Sequence, residues 1–472
     1  MKVKTLVTWL GLLVFAILGI ASIVYYRERV IYVDSAYYAF NMFNKGLPTA
    51  EHNRYALYLY QFVPWIFFKL GASIALVLKL FSICHILLHS LALFFILRMN
   101  KHKIGLLLIL MQVVAYRECF FLTVNETALV ISASLVLYAL MQRHLEKSFS
   151  KTSYFICTFL CISIALLAHP MAMIVIPFVI MMHAFQAKKT FIKKEALILF
   201  AAFLLGFIIK KSISVESGYE EDLFNQLNNI GQIFSNFSEV YSFKFFYGDF
   251  KLQSYFFKIY IIPLVLIPFI IGLHIKFKLY LELTAYLVSM VGLWLLIIVL
   301  FNRGDGNIFM EKNYTPWVMI SLFPLVYLPL EKIKYNVGIV SVLTVSILFY
   351  SIYGIYAVAP MYEKRLYLID RLITEKNPSK ANKLLLQDST VNHDEWLGVW
   401  ALPYETILLS KIKGMPSTTA KIYNNEERIN KELNRDDIFI GADFIPVLPM
   451  DYLIRYKEFK IPNQKYIPVP NP

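Results

Sequence analysis

From Leu6 to Val24 the chain reads LVTWLGLLVFAILGIASIV, with no charged side chain. A run of this kind satisfies its backbone amides in lipid only as a helix, and about 20 apolar residues span the hydrocarbon core. Similar runs recur along the sequence. They predict spans near 5–25, 71–97, 104–117, 126–142, 154–168, 171–187, 195–210, 259–275, 279–301, 315–330 and 336–357. The runs are continuous rather than alternating, which points to helices and not barrel strands. A mean hydropathy of +0.57 and a 58% hydrophobic content fit a chain that meets lipid along much of its length. The opening MKVK and its apolar run resemble a signal peptide. The run is long for one and no clear A-x-A site follows, so it is read as a retained first helix.

The net charge of +14 does not form a nucleic-acid patch. Residues 1–357 carry 30 Lys+Arg against 17 Asp+Glu, whereas residues 358–472 carry 16 against 15. The excess sits in the short loops MKVK, RMNKHK, RHLEKSFSK, KKTFIKK, HIKFK and EKIK, which together hold 16 Lys/Arg. That asymmetry predicts a cytoplasmic N-terminus. The intervening connections, 26–70, 117–126, the His169-Pro170 turn, 211–258 and 302–314, then face outward, as does the tail. The four cysteines (Cys84, Cys119, Cys157 and Cys161) lie in or beside apolar segments and form no CxxC motif.

Two outer loops carry helical patterns. Ala36, Phe40 and Phe43 share one face, so Asp34-Ser35 is placed to cap a helix lying along the membrane surface. Leu223, Leu227, Ile230, Phe234 and Phe237 repeat at helical spacing behind Glu220, Glu221 and Asp222. The expected fold class is therefore an all-α polytopic membrane protein of about eleven spans, with interfacial helices in outer loops. A membrane domain over 1–357 is followed by a small soluble α/β or α+β domain over 358–472.

Ionisable residues inside a span are costly and tend to be functional. The second span holds Lys79, His85 and His89; the two histidines are one turn apart, but no third metal ligand accompanies them. Acids and bases instead crowd the outward edge: Asp34, Glu51, His52 and Arg54 on the first loop; Arg117, Glu118 and Glu126 in YRECFFLTVNE; His169 on the third; and Lys210 and Lys211 opening the fourth. FNRGDGNIFMEKNYTP adds Arg303, Asp305, Glu311, Lys312 and Tyr314.

A cytoplasmic N-terminus, an acid just beyond the first helix, a second outer loop with another acid, some eleven helices and an external C-terminal domain together resemble the GT-C superfamily. These are integral-membrane glycosyltransferases that use polyprenyl-phosphate sugars. VDSAYYAFNMFNKG looks like the family's first-loop motif, and EKNYTPWVMISLFPL looks like a late loop-to-helix segment of its protein-mannosyltransferase-like branch. The chain departs from the pattern where Ser35, not a second acid, follows Asp34, and where Pro64 stands alone before the second helix. The resemblance implies a GT-C-like fold and direct displacement with inversion at the anomeric carbon.

The residues fit that chemistry in their own right. An acceptor hydroxyl must lose a proton, and a placed carboxylate accelerates this by about 10²–10⁴-fold. The leaving lipid phosphate needs fixed cations, for which arginine is suited. Asp34 is expected as general base, with Glu118 or Glu126 positioning acceptor or donor. Arg54, Arg117, Arg303 and Lys312 are the phosphate candidates, and Tyr37, Tyr38, Tyr314 and His169 line the substrate. No D-x-D occurs in the outer loops, which favours a metal-independent reaction with no cofactor, a divalent metal being left open. The expected partners are a polyprenyl-phosphate-linked sugar, a glycan, lipid or protein acceptor, and the bilayer. The rival readings are an O-antigen ligase or polymerase and a lipid-glycan flippase or transporter. The first predicts an Arg/His cluster in a large late loop, and 211–258 holds neither residue. The second predicts charge inside the bundle, which is scarce. In NHDEWLGVWALPYET, tail tryptophans Trp396 and Trp400 are able to stack on sugar. The Lys/Ile/Tyr/Asn-rich composition suggests a bacterial inner membrane, with the tail in the periplasm. Asn125, Asn236 and Asn313 head N-x-S/T triplets that all fall outside, which leaves an ER-lumenal enzyme open.

Overall fold

The computed structural model describes residues 3–146, 150–186, 190–213, 221–222, 225–248, 260–302, 306–333, 337–377, 381–423, 435–442, 448–449 and 454–469. The protein is mostly helical and carries a small sheet. Its helices are α1 (Val3–Val24), α2 (Tyr26–Val30), α3 (Val33–Lys45), α4 (Tyr58–Lys69), α5 (Ile74–Arg98), α6 (His102–Val114), α7 (Glu126–Leu145), α8 (Lys151–Ala168), α9 (Ala172–Gln186) and α10 (Thr190–Ile213). They continue with α11 (Ile230–Ser235), α12 (Tyr241–Gly248), α13 (Ile261–Lys276), α14 (Tyr280–Leu300), α15 (Asn307–Leu322), α16 (Pro324–Tyr327) and α17 (Val337–Thr374).

Six of the described helices are long and apolar enough to cross a membrane: Lys4–Val24, Ile74–Arg98, Glu126–Leu145, Lys151–Ala168, Tyr280–Leu300 and Gly338–Thr374. Three shorter apolar helices, His102–Val114, Ala172–Gln186 and Ile261–Lys276, accompany them. Helix starts follow from local chemistry. Ser73, Asn125 and Ser150 each accept an N–H of the first turn, from Leu76, Ala128 and Ser153 respectively. Helix α1 packs on α5 and α6, and α7 packs on α8, α9 and α15. In the second span, His85 Nδ1 lies 3.2 Å from Arg29 Nη2 and His89 Nδ1 lies 2.7 Å from Ser132 Oγ. Both histidines thus serve interhelical hydrogen bonding.

Two expectations change. The segment 307–314 was expected as loop before a span at 315–330; α15 instead begins at Asn307, so Glu311, Lys312 and Tyr314 are helical. Helix phase then sets their directions. Among the described residues, the amphipathic helix expected through Leu227, Ile230, Phe234 and Phe237 is divided into a 3-10 turn (Gln226–Asn229), α11 and a second 3-10 turn (Phe237–Glu239); Glu220 and Leu223 lie outside the described residues.

Helix α17 runs unbroken past residue 357 into the tail. There β1 (Lys383–Gln387) pairs in parallel with β2 (Thr419–Tyr423) and β5 (Ile467–Pro468), in the order β2–β1–β5. Two helices, α18 (His393–Trp396) and α19 (Leu402–Ile412), lie between β1 and β2 in the chain, and α19 packs on β2, giving an α/β crossover. A second pair, β3 (Ile438–Phe439) and β4 (Leu448–Pro449), is antiparallel.

The tail covers α3. Phe40 stacks on Phe459 at 5.1 Å and meets Tyr404 at 4.9 Å, while Phe43 meets Tyr456 and Phe459. Asn44 Oδ1 accepts the N–H groups of Arg455 and Tyr456 at 2.7 and 3.1 Å. The apolar face expected to lie on lipid therefore lies on protein. Burying Phe40 and Phe43, 2% and 1% exposed, contributes about 1.5–3 kcal/mol each. Gly46 closes the helix in the left-handed conformation, φ 67, which glycine adopts without steric cost.

Candidate functional site

Four charged side chains from distant parts of the chain meet at one end of the bundle. Arg54 Nη1 lies 2.8 Å from Glu126 Oε1. Lys312 Nζ lies 2.5 Å from Glu126 Oε2 and 3.9 Å from Asp34 Oδ2. Side-chain exposure separates the members: Glu126 2%, Lys312 6%, Arg54 8%, Asp34 22%. Asp34 is the least enclosed of the four, and the other three form its buried backing.

The local sequence explains each placement. Glu126 opens α7, where the helix dipole favours an acid, and Asn125 Oδ1 caps that helix while also accepting from Thr127 Oγ1 at 2.8 Å. The same Thr127 hydroxyl reaches the Lys312 carbonyl at 3.2 Å, tying α7 to α15. Arg54 is delivered by a turn in which His52 and Asn53 both take positive φ, 54 and 57. Asp34 is the second residue of α3, whose N-cap is Tyr32 with no side-chain cap bond. The expected capping role is therefore corrected: the carboxylate turns to Lys312, and Ser35 Oγ accepts the Thr123 N–H at 3.0 Å instead. Val33 sits at φ 31, a region where a β-branched residue costs about 1–3 kcal/mol and persists only when neighbours hold it.

Electrostatics follow burial. Asp34 is pushed from 3.8 up to about 6, chiefly by desolvation; Lys312 and Arg54 oppose the rise and Glu126 adds to it. His52 is held down to about 4 by burial with Arg54 adding. His169, in the turn between α8 and α9, is lowered well below its ordinary value by burial and by Arg54; its Nδ1 accepts the Met171 N–H at 3.2 Å. Both rings are neutral at pH 7.

Glu118 belongs to a second group. Arg117 Nη2 stands 3.8 Å from it, and the Tyr362 hydroxyl donates to it at 3.5 Å. Burial raises the Glu118 carboxyl and Arg117 counters part of that. Glu311 accepts the backbone N–H groups of Glu118 and Cys119 at 3.1 and 3.0 Å, and that of Arg117, which fixes this loop from α15.

Tyr38, 4% exposed, sits in the field of Glu126, Arg54 and Asp34. Tyr37 donates to Glu51 at 2.9 Å, with its ring against Trp400 and Tyr404. Tyr314 is corrected: its hydroxyl donates to the Ser242 carbonyl at 3.0 Å, and its ring joins Phe246, Tyr260 and neighbours. Positions two apart on a helix face away from each other, so Lys312 at the ion group sends Tyr314 elsewhere. Arg303 and Asp305 lie outside the described residues. In the tail, Trp396 is buried and His393 pairs with Asp388 at 2.9 Å.

Sequence reasoning missed Arg365 and Glu405, which lie behind Val33, and Tyr362, stacked on Phe121 at 4.2 Å. The acids and bases of the tail are nearly balanced, and nothing in their spacing marked these out. Among the described residues no three His, Cys, Asp or Glu side chains gather in a way that would hold a metal. What the group offers is a carboxylate less enclosed than its neighbours and able to take a proton, with two cations behind it. No family model, curated protein or solved structure matches the chain.

Proposed function

We propose that this protein is an integral-membrane glycosyltransferase of GT-C type, moving a sugar from a polyprenyl-phosphate donor to an acceptor hydroxyl on the extracytoplasmic face. The observation that carries the reading is the exposure contrast at the ion group. Asp34, 22% exposed, stands against Lys312, Glu126 and Arg54, which are 2–8% exposed. A proton acceptor must be reachable, and its counter-ions must not reorganise during reaction.

In the proposed step the acceptor oxygen attacks the anomeric carbon as its proton passes to Asp34. The bond between that carbon and the phosphate oxygen breaks, and the electron pair leaves with the polyprenyl phosphate. Glu126, buried and doubly paired, holds Lys312 and Arg54 in place rather than taking a proton. Arg117, 16% exposed at its side chain, is the more open cation for the leaving phosphate, beside Glu118. Tyr38 and the neutral His169 line the donor side. The reading includes eleven crossings, an N-terminus in the cytoplasm of a bacterial inner membrane, and a periplasmic tail. It is supported by the helices that cover each apolar run and by the cationic short loops.

The test is transfer by purified, lipid-reconstituted protein supplied with labelled polyprenyl-phosphate hexoses and pentoses. Sugar release is expected from wild type and not from Asp34→Asn. Equal release from both would remove Asp34 as base, and no release from any donor would sink the glycosyltransferase reading.

A further inference from the structure

We infer that Arg365 and Glu405 are a positioning pair that sets the direction of the Asp34 carboxylate, so that the tail is a working part of the reaction centre. The inference rests on the reading of Asp34 given above.

Three consecutive residues lead into Asp34, and the pair or its loop holds each of them. Arg365 Nη1 donates to the Ile31 carbonyl at 3.1 Å. The Tyr32 ring lies 4.8 Å under the Arg365 guanidinium, and its hydroxyl donates to the Leu397 carbonyl at 2.8 Å. Glu405 Oε1 accepts the Val33 N–H at 2.7 Å. Arg365 Nη2 bridges both Glu405 oxygens at 2.8 and 2.6 Å, while Nε and Nη2 reach the carbonyls of Trp396 and Gly398 at 2.6 and 2.9 Å. The guanidinium thus ties the last long helix, the 396–398 loop and the strand of backbone before α3 into one unit.

The charge pairing itself is not needed for stability. Both side chains are buried, 2% and 0% exposed, and a buried ion pair seldom stabilises a fold more than apolar residues of its size would. What the pair does is hold Val33 at φ 31, a conformation its own side chain resists. Gly398, at φ 109, brings its backbone so near that an added Cβ would meet Val33 Cγ1 at 3.2 Å. The Val33 torsion sets where the first turn of α3 points, and Asp34 is the next residue. A displacement of about 1 Å at a reacting group lowers rate by roughly 10²-fold.

The test compares wild type with the double variant Arg365→Met/Glu405→Met in the transfer assay and in thermal unfolding. The double variant leaves the Ile31, Trp396 and Gly398 carbonyls and the Val33 N–H without these partners and is expected to melt earlier; assayed well below its melting temperature, it is expected to lose roughly 10–10²-fold in kcat, with KM for the lipid donor changed less than about 3-fold. Wild-type kcat in the double variant would overturn the inference. So would losses of kcat that only follow losses of melting temperature. Should wild type transfer no sugar, the reading of the reaction fails separately. The pair is then judged by the alkylation rate of Asp34→Cys in a Cys157→Ser background, with and without the double substitution. A change of about 5-fold or more is expected there, and an unchanged rate overturns the inference.

Discussion

Lys312 Nζ lies 3.9 Å from Asp34 Oδ2, close enough to favour the ionised carboxylate without forming a tight hydrogen bond with it. Burial is the largest influence raising Asp34, with Glu126 adding to it, and Lys312 is the largest opposing one, leaving the group at about 6. A general base works only when ionised, so activity is expected to rise with pH through about 6. Replacing Lys312 by Gln removes the opposing cation. The acid limb of kcat/KM is then expected to move to higher pH by about one unit or more, with the largest loss of rate below pH 7. A pH profile of both proteins checks this; an unmoved limb would mean that Lys312 does not govern Asp34.

The same shift makes Asp34 a cost to stability. Its folded-state value of about 6 exceeds the ordinary 3.8, so between those values the folded protein binds more protons than the unfolded chain. Stability therefore falls as pH rises from about 4 to 6 and stays reduced above that. Asp34→Asn is expected to raise thermal stability at pH 7–8 by up to about 3 kcal/mol, each pKa unit being worth about 1.4 kcal/mol. The gain should vanish below pH 4, while transfer is lost at every pH. Thermal unfolding in one detergent across pH measures it.

Glu126 answers two buried cations, Arg54 at 2.8 Å and Lys312 at 2.5 Å. Removing one partner of a buried ion group leaves uncompensated charge, which costs about 3–5 kcal/mol. Glu126→Gln is expected to melt earlier by that measure. Adding Lys312→Met to it removes one of the two cations that Glu126 answered and is expected to recover part of the loss. A double-mutant cycle of melting curves gives the coupling directly. Simple additivity would show that the two side chains do not act as a unit.

Each of these residues was visible in the sequence as a charge beside an apolar run, because length and hydropathy fix where helices leave the bilayer. Their convergence was not visible. Whether Lys312 and Tyr314 share a site depends on α15 starting at Asn307, which turns one toward Asp34 and the other toward Ser242. The choice between Glu118 and Glu126 was open for a similar reason: eight residues apart, they enter different groups, one with Arg117 and one with Arg54 and Lys312. Phe40 and Phe43 marked an amphipathic helix, but an apolar face reads the same whether lipid or protein covers it. Arg365 and Glu405 were illegible because their significance lies in contacts to residues 31–33, more than 330 positions away.

Orientation decides whether the ion group faces a compartment where lipid-linked sugars are offered. Sixteen Lys/Arg in the alternate short loops favour a cytoplasmic N-terminus. Glu146, 51% exposed at the end of α7, then lies inside, and exposed Lys457 of the tail lies outside, with Asp34 on the same side. In a Cys157→Ser background the remaining native cysteines are buried. A membrane-impermeant thiol reagent is expected to label Lys457→Cys on intact cells and Glu146→Cys only after permeabilisation. The reverse pattern would put Asp34, Arg54, Glu126 and Lys312 in the cytosol, where a sugar donor presented on the outer face of the membrane does not reach them.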